Sequence, residues 1–385
     1  MKDFFLLDPS IIFLNHGSFG ASPKPVFDTY QTWQRKLEKQ PVLFLGRSYH
    51  QLLQTAKESL AAYLGTQPQN LVFVPNATYG VNLIARSLDL QPGDEILTSN
   101  HEYGACDYTW EFLSAKKGVR YIHRAIQFPS QTDQEIVEIF WQGVTPNTKL
   151  IYLSHLTSPT ALRLHIEEIN RRAREAGILT LIDGAHAPGQ IPLDLDSLQA
   201  DFYTGNLHKW LMAPKGAAFL YAHPRVQHLV EPLVISWGLK TEPQFSSGSP
   251  FIDRLTWTGT HDPSAYLSVP AAIQFQQEHN WPEVQAACHL RLKEYMPEFS
   301  ALTGKPVLYA QDHQYGQMAA IELPLVRDLL AFKTELYDQY RIEIPHILWE
   351  NRHFLRISYQ VYNQPEDLTR LLDVLKIRLP HWVRG

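Results

Sequence analysis

Two side chains could work as a chemical pair: Asp183, which closes the apolar run ILTLID (178–183), and Lys209, in TGNLHKWLMAPKG beside Trp210, Leu211 and Met212. Taken singly, the aspartate reads as a helix cap and the lysine as a solvated surface charge. An amine set among such apolar neighbours instead loses solvation. Its pKa falls and it becomes a usable nucleophile. A carboxylate on the neighbouring strand end is then placed to pair with a buried cation.

Such a pair matches the needs of pyridoxal 5'-phosphate. The lysine forms the Schiff base, and the carboxylate keeps the pyridine nitrogen protonated so that the ring can draw electrons. A phosphate site and a ring platform are also required. PNATYGVNLIARSL places small residues at a helix start, where free N–H groups and the positive dipole end attract phosphate. Asn76 or Thr78 as a simple N-cap explains that segment equally well. Tyr103 could lie over the pyridine face, although an aromatic after a strand is more often core.

The elements that must hold these residues follow from the apolar pattern. LVFV (71–74), EILT (95–98), VRYIH (119–123), KLIYLS (149–154), ILTLID (178–183), ADFY (200–203) and AAFLYA (217–222) read as strands. Helical patterns lie at Pro23–Lys39, Tyr49–Leu64, Thr78–Leu88, Gln134–Trp141 and Ile166–Ala176. Buried strands alternating with helices define an α/β domain with a mostly parallel sheet. Ligands bind beyond the carboxyl ends of such strands. Polar residues cluster there: Asn76 and Thr78; His101 to Tyr103; Ser158 and Thr160; Asp183 and His186; Asn206, His208 and Lys209.

Beyond Asp262, helical stretches Ala265–Gln277 and Pro282–Tyr295 lead into KPVLYA, MAAIELP, YRIEIPHILW and FLRISYQ, as in a smaller α+β domain. The expected division is 20–262 for the large domain, with 1–19 and 263–385 forming the small one. Glu242–Pro250 is the candidate for a long mobile or functional loop.

Other chemistries find less support. There is no G-x-x-x-x-G-K-[ST] or G-x-G-x-x-G, and no G-x-S-x-G elbow. His101–Glu102 begins a zinc H-E-x-x-H signature, but residue 105 is Ala. The chain has 385 residues, with a net charge of -5 that gives no reason to expect nucleic acid or an anionic membrane as partner. Two cysteines, Cys106 and Cys288, do not make a disulfide scaffold, and a reducing cytoplasm suits them. The start MKDFFLLDPSIIFLNHG carries Asp3 and Asp8, unlike a secretory signal, and no apolar run reaches the roughly 20 residues of a membrane span. A soluble, cytoplasmic protein is expected.

In order along nearly the whole chain, FLNHGSFGASP, NATYGVN, HEYGACD, SHLTSPTALRLHI, IDGAHAPGQIPLDL, DFYTGNLHKWLMAPKGAAFLY and WTGTHDPSAY resemble the class V aminotransferase branch of the pyridoxal-phosphate enzymes. Within it they are similar to the isopenicillin N epimerase-like group. The resemblance implies the type I transferase fold, with a seven-stranded sheet and a smaller C-terminal domain. It implies Lys209 as Schiff-base lysine and Asp183 as partner of the pyridine nitrogen. It puts Tyr103 on the ring, Ala77 and Thr78 at the phosphate with Asn206 and His208 beside them, and His186 near the ring hydroxyl. Ser158 stands where many members have Asn. Thr260 matches a residue that reaches the neighbouring subunit's phosphate, which implies a homodimer with shared active sites. Arg356 matches the arginine that clamps the substrate carboxylate, with Asn15 and His16 on the substrate side.

Fold and cofactor leave the reaction open. Inversion at Cα gives an epimerase, loss of a group from Cβ gives a lyase, and protonation at the cofactor carbon gives transamination. Cysteine desulfurases of this class carry a cysteine shortly before the arginine, where IEIPHILWENRHFLR has none. Persulfide-forming desulfuration is not expected, whereas a C–S lyase acting on cysteine, cystine or a cysteine sulfoxide conjugate needs no cysteine of its own. Epimerisation asks for a second proton carrier, with His16, His101, Tyr103 and the histidines between 346 and 353 as candidates. A catalytically silent binding protein is the alternative from a different class.

Overall fold

The computed structural model describes residues 1–242 and 246–383. A short strand β1 (Ile12–Phe13) opens the chain, followed by helices Lys24–Lys39 and Tyr49–Leu64. Seven strands then form one sheet: β2 (Leu71–Val74), β3 (Glu95–Ser99), β4 (Arg120–Arg124), β5 (Thr148–Ser154), β6 (Leu179–Asp183), β7 (Phe202–Asn206) and β8 (Ala218–Ala222). Each matches one of the seven expected apolar runs to within two residues at either end, except that β7 runs three residues past ADFY, to Asn206.

The sheet order is β2-β8-β7-β6-β5-β3-β4. Pairings from β4 through β7 are all parallel, and β8 alone runs the other way between β7 and β2. The central strands are buried on both faces, which is why they read as continuous apolar runs rather than alternating ones. Strands β2, β3, β5, β6 and β7 share one direction, so their carboxyl ends meet at one rim. The five polar loops follow those ends.

Helix starts are fixed by local caps. The Asn76 side chain accepts from the Tyr79 amide at 2.8 Å, so that helix runs Ala77–Ser87, one residue earlier than the apolar periodicity alone suggests. Ala265–Gln277 is in fact two helices, Ser264–Leu267 and Val269–Glu278. Pro270, in the first turn of the second, has no N–H to continue the first. The following helix runs on to Thr303 rather than ending near Tyr295.

The remaining strands are β9 (Met318–Leu323), β10 (Ile342–Glu343), β11 (His346–Trp349) and β12 (Arg352–Ser358). An antiparallel sheet β11-β12-β9 forms here, and β10 pairs with β1 in parallel, tying the amino terminus to this region. KPVLYA forms no strand: the Leu308 carbonyl accepts from the Ser130 amide instead of joining a ladder. The expected loop Glu242–Pro250 lies partly outside the described residues. Within its described part, Ser246 and Ser247 donate to the Asp253 carboxylate.

Candidate active site

Lys209 follows β7 and is half-buried, its Nζ 3.1 Å from His186 Nε2. Burial, helped by the Arg356 charge, brings its pKa down to about 7, against the pull of Asp183. A large share of these amines is therefore unprotonated near neutrality. The backbone is held as firmly as the side chain. The Lys209 carbonyl lies 3.0 Å from His16 Nε2 and accepts from the Met212 amide. Gly20 packs so closely that a Cβ there would fall 2.1 Å from the His208 carbonyl oxygen. This close approach explains the glycine in HGSFGASP.

Asp183 ends β6 with its side chain buried. Its Oδ1 accepts from the Ala185 amide at 2.8 Å, and its Oδ2 faces the Tyr152 hydroxyl at 3.4 Å and the Cys106 thiol at 3.9 Å. Burial pushes its pKa up, opposed by these donors and by Lys209. A cation brought against Oδ2 would reverse that shift. A protonated pyridine nitrogen is such a cation.

At the start of helix Ala77–Ser87, the Ala77 amide donates to Asn206 Oδ1 at 2.9 Å. These two expected phosphate contacts thus satisfy each other, and Asn206 anchors the helix end. The Thr78 amide and hydroxyl have no partner among the described residues. They are what this helix end offers an anion. His208 is nearby in sequence but turns Nδ1 to the Ala217 carbonyl at 3.3 Å, and burial brings its pKa to about 4.

Arg356, on β12, is only 4% exposed. Nη1 donates to the Ser158 carbonyl at 2.5 Å and the Ser158 hydroxyl at 3.2 Å, and Nη2 donates to the Ser18 hydroxyl at 3.2 Å. No carboxylate pairs with it among the described residues, and its buried Nε has no partner. A buried guanidinium without an anion is costly, and burial pulls its pKa to about 10. The arrangement suits an incoming carboxylate, which a guanidinium can grip with two hydrogen bonds.

Several expectations need correction. Ser158 also braces Arg356, its carbonyl and hydroxyl oxygens both accepting from Nη1. His16 is fully buried with Nδ1 on the Tyr362 hydroxyl at 3.0 Å and Nε2 on Lys209, leaving no nitrogen for substrate. Asn15 donates to Glu343 at 2.7 Å and accepts from Ser18 at 2.5 Å, so both ends of its side-chain amide are engaged within the protein. His101 is likewise closed, with Thr160 Oγ1 and the Ile126 carbonyl each at 2.7 Å. Tyr103 is exposed at the rim. Thr260 is exposed on the edge of a separate cavity of about 980 Å³ lined by Tyr49, Phe73, Trp257 and Tyr266, and no hydrogen bond joins it to the other site residues.

Some participants carried no signal in the sequence. Tyr152, Cys106, Ser18 and Trp210 reach the site as ordinary core or turn residues. In the sequence Glu102 reads as part of a broken zinc motif and as one of the polar residues after EILT. It is buried, accepts from Ser99 Oγ (2.5 Å), Ser154 N (2.8 Å) and Ser154 Oγ (2.6 Å), and burial raises its pKa to about 8.

The family pattern of the class-V aminotransferases matches residues 13–371, and the chain belongs to that family. It is thereby a pyridoxal 5'-phosphate enzyme, and the half-buried amine, the buried carboxylate and the unpartnered helix-end donors fit that group. It is 35% identical to the isopenicillin N epimerase of Amycolatopsis lactamdurans over 96% of each chain. It is also similar to the probable chloroplastic L-cysteine desulfhydrase of Arabidopsis thaliana, at 25% over 96% of this chain and 83% of that one. Among solved structures, the cystine C–S lyase C-DES, in complex with its product cysteine persulfide, shares the fold. The TM-score is 0.82 at 22% identity, over 98% of this chain and 99% of the other.

Proposed function

We propose that this enzyme holds pyridoxal phosphate on Lys209 and moves the Cα proton of an amino acid or amino-acid derivative, in the manner of an epimerase. The observation that carries the reading is a pair of groups: the Lys209 amine, 3.1 Å from His186 Nε2, and the buried Arg356 guanidinium, which lacks a carboxylate partner among the described residues. Arg356, braced by Ser158 and Ser18, takes the substrate carboxylate. Lys209 would hold the cofactor and, as a free amine, would be the base that takes the Cα proton. Asp183 holds a proton on the pyridine nitrogen, backed by Tyr152 and Cys106. Thr78 binds the phosphate. The cofactor supplies an electron sink that makes the Cα proton acidic.

A second reading, a C–S lyase, draws support from the histidines. Inversion asks for a second proton carrier, and the ring nitrogens of His16 and His101 are already engaged. Elimination of sulfur from Cβ needs Lys209 alone as base at Cα. Both cysteines are buried, which fits a reaction in which no enzyme thiol takes up sulfur. Tyr103 is the accessible carrier if inversion is the reaction.

A homodimer is part of the proposal. Thr260 makes no hydrogen bond to the other site residues of its own chain among the described residues, and the cavity it borders is flanked by Trp237 at 82% and Val42 at 74% exposure. A partner subunit covering this face would use both. Thr260→Ala would then loosen the cofactor while sedimentation still reports a dimer.

Purified, cofactor-loaded protein incubated with cysteine, cystine, S-substituted cysteine sulfoxides and other amino acids separates the readings. Exchange or inversion at Cα in heavy water without pyruvate supports the epimerase. Pyruvate release without racemisation supports the lyase. A protein that stays colourless with added cofactor, or whose colour borohydride does not shift, refutes both.

A further inference from the structure

Lys209 and Trp210 are consecutive, yet both side chains reach the same histidine from opposite sides. Lys209 Nζ lies 3.1 Å from His186 Nε2, and Trp210 Nε1 donates to His186 Nδ1 at 3.3 Å. All three residues are rigidly placed. The Trp210 carbonyl accepts from Gln276 and the His186 carbonyl accepts from Gln190. Gly189 lets the chain pass so close to Trp210 that a Cβ there would fall 2.3 Å from the Trp210 carbonyl carbon.

The protons in this chain can be assigned by elimination. An indole nitrogen donates and cannot accept, so His186 Nδ1 must present a lone pair. His186 is buried among Lys209, Arg356 and His208, which disfavour a charged ring. A neutral ring with a bare Nδ1 carries its proton on Nε2. That proton points at Lys209 Nζ, and only an unprotonated amine can accept it. A protonated Lys209 would set two donors against each other.

We infer that Trp210 fixes the tautomer of His186 and, through it, holds Lys209 as a hydrogen-bond-accepting free amine. Trp210 is therefore a positioning residue. This inference rests on the reading of Lys209 as the reactive amine, because a free amine is the form that attacks an aldehyde and takes a proton. Desolvation lowers the lysine pKa in any apolar site. The indole adds a specific alignment: it keeps the amine's lone pair occupied by a donor until a reacting group displaces it.

The test uses cofactor-free protein, so it has a readout independent of turnover. In ¹⁵N-histidine-labelled protein, the His186 signals are identified by their loss in His186→Gln. They are expected to show the Nε2–H tautomer. In Trp210→Phe, which keeps an aromatic ring but removes the donor, the Nδ1–H form should appear. The rate at which an amine-specific reagent labels Lys209 at pH 7 should fall about fivefold, the loss of free amine when a pKa of about 7 rises by one unit. Arg356, Asp183, Cys106, His186 and His208 are the titratable groups that face or act on Lys209, and all five remain in that variant.

An Nδ1–H tautomer in the wild-type protein would overturn the inference, and this measurement does not depend on the variant folding. So would a Trp210→Phe protein with the Nε2–H tautomer and unchanged labelling. If the expected tautomers appear but pyridoxal phosphate fails to attach to Lys209, the inference stands and the proposed function falls.

Discussion

Replacing Arg356 tests the site most directly, because its guanidinium has no carboxylate partner to lose among the described residues. A substrate carboxylate about 4 Å away gains roughly 4 kcal/mol at an effective dielectric near 20. Arg356→Gln removes that charge, so kcat/KM for amino acids should fall roughly a thousandfold. Arg356→Lys keeps the charge but loses the two-pronged grip, a loss of about 1.5–3 kcal/mol, or roughly 10- to 150-fold. The assay is α-proton exchange in heavy water, run on each amino acid and on the matching amine that lacks the carboxylate. The amines should react poorly with every version, and their small rates should be nearly unaffected by the substitution. Stability supplies a control. Burial of an unpaired guanidinium is unfavourable, so Arg356→Gln should melt no lower than the wild-type protein. If Arg356→Gln binds cofactor normally and its kcat/KM for amino acids stays within about threefold of wild type, the assignment of the carboxylate site is wrong.

Lys209→Ala should bind pyridoxal phosphate only reversibly, with no label retained after borohydride and denaturation. Asp183→Asn should keep the covalent colour but lose about a hundredfold or more in proton exchange, because a neutral amide does not hold the pyridine nitrogen protonated. Glu102 has a folded pKa of about 8 against an ordinary value of 4.5. The folded state therefore binds the extra proton between those values. The stability it contributes is full below pH 4.5 and is lost as pH rises through 8. Urea unfolding at pH 5.5 and 8.5 should show wild type losing a few kcal/mol relative to Glu102→Gln over that interval, roughly, and a constant difference would refute the buried neutral acid. Gly189→Ala puts a Cβ on the Trp210 backbone at a φ of +86°, and should lower stability by about 1–3 kcal/mol or more, read from the unfolding midpoint.

Much of the fold was legible from the chain because a parallel sheet buried on both faces leaves unbroken apolar runs. LVFV, KLIYLS and ILTLID announce their strands with little help from context, and the polar residues after them mark the rim. Lys209 and Asp183 stood out for the same reason, as charged groups set against apolar neighbours. Element ends were less legible where a single side chain decides them, as at Asn76 and Pro270.

What the sequence alone determined was the class of chemistry: a desolvated lysine, a strand-end carboxylate and an arginine, in an order that matches one family. Which groups those residues actually meet was decided by tertiary structure. Ser158 turns to Arg356, Asn206 turns to the Ala77 amide, and His16 closes on Tyr362 and Lys209. The contact from Trp210 to His186 spans 24 residues, and the one from Ser18 to Arg356 spans 338. The physical reason is that a hydrogen bond depends on where two atoms lie, and residue type and local spacing say nothing about partners brought together by packing.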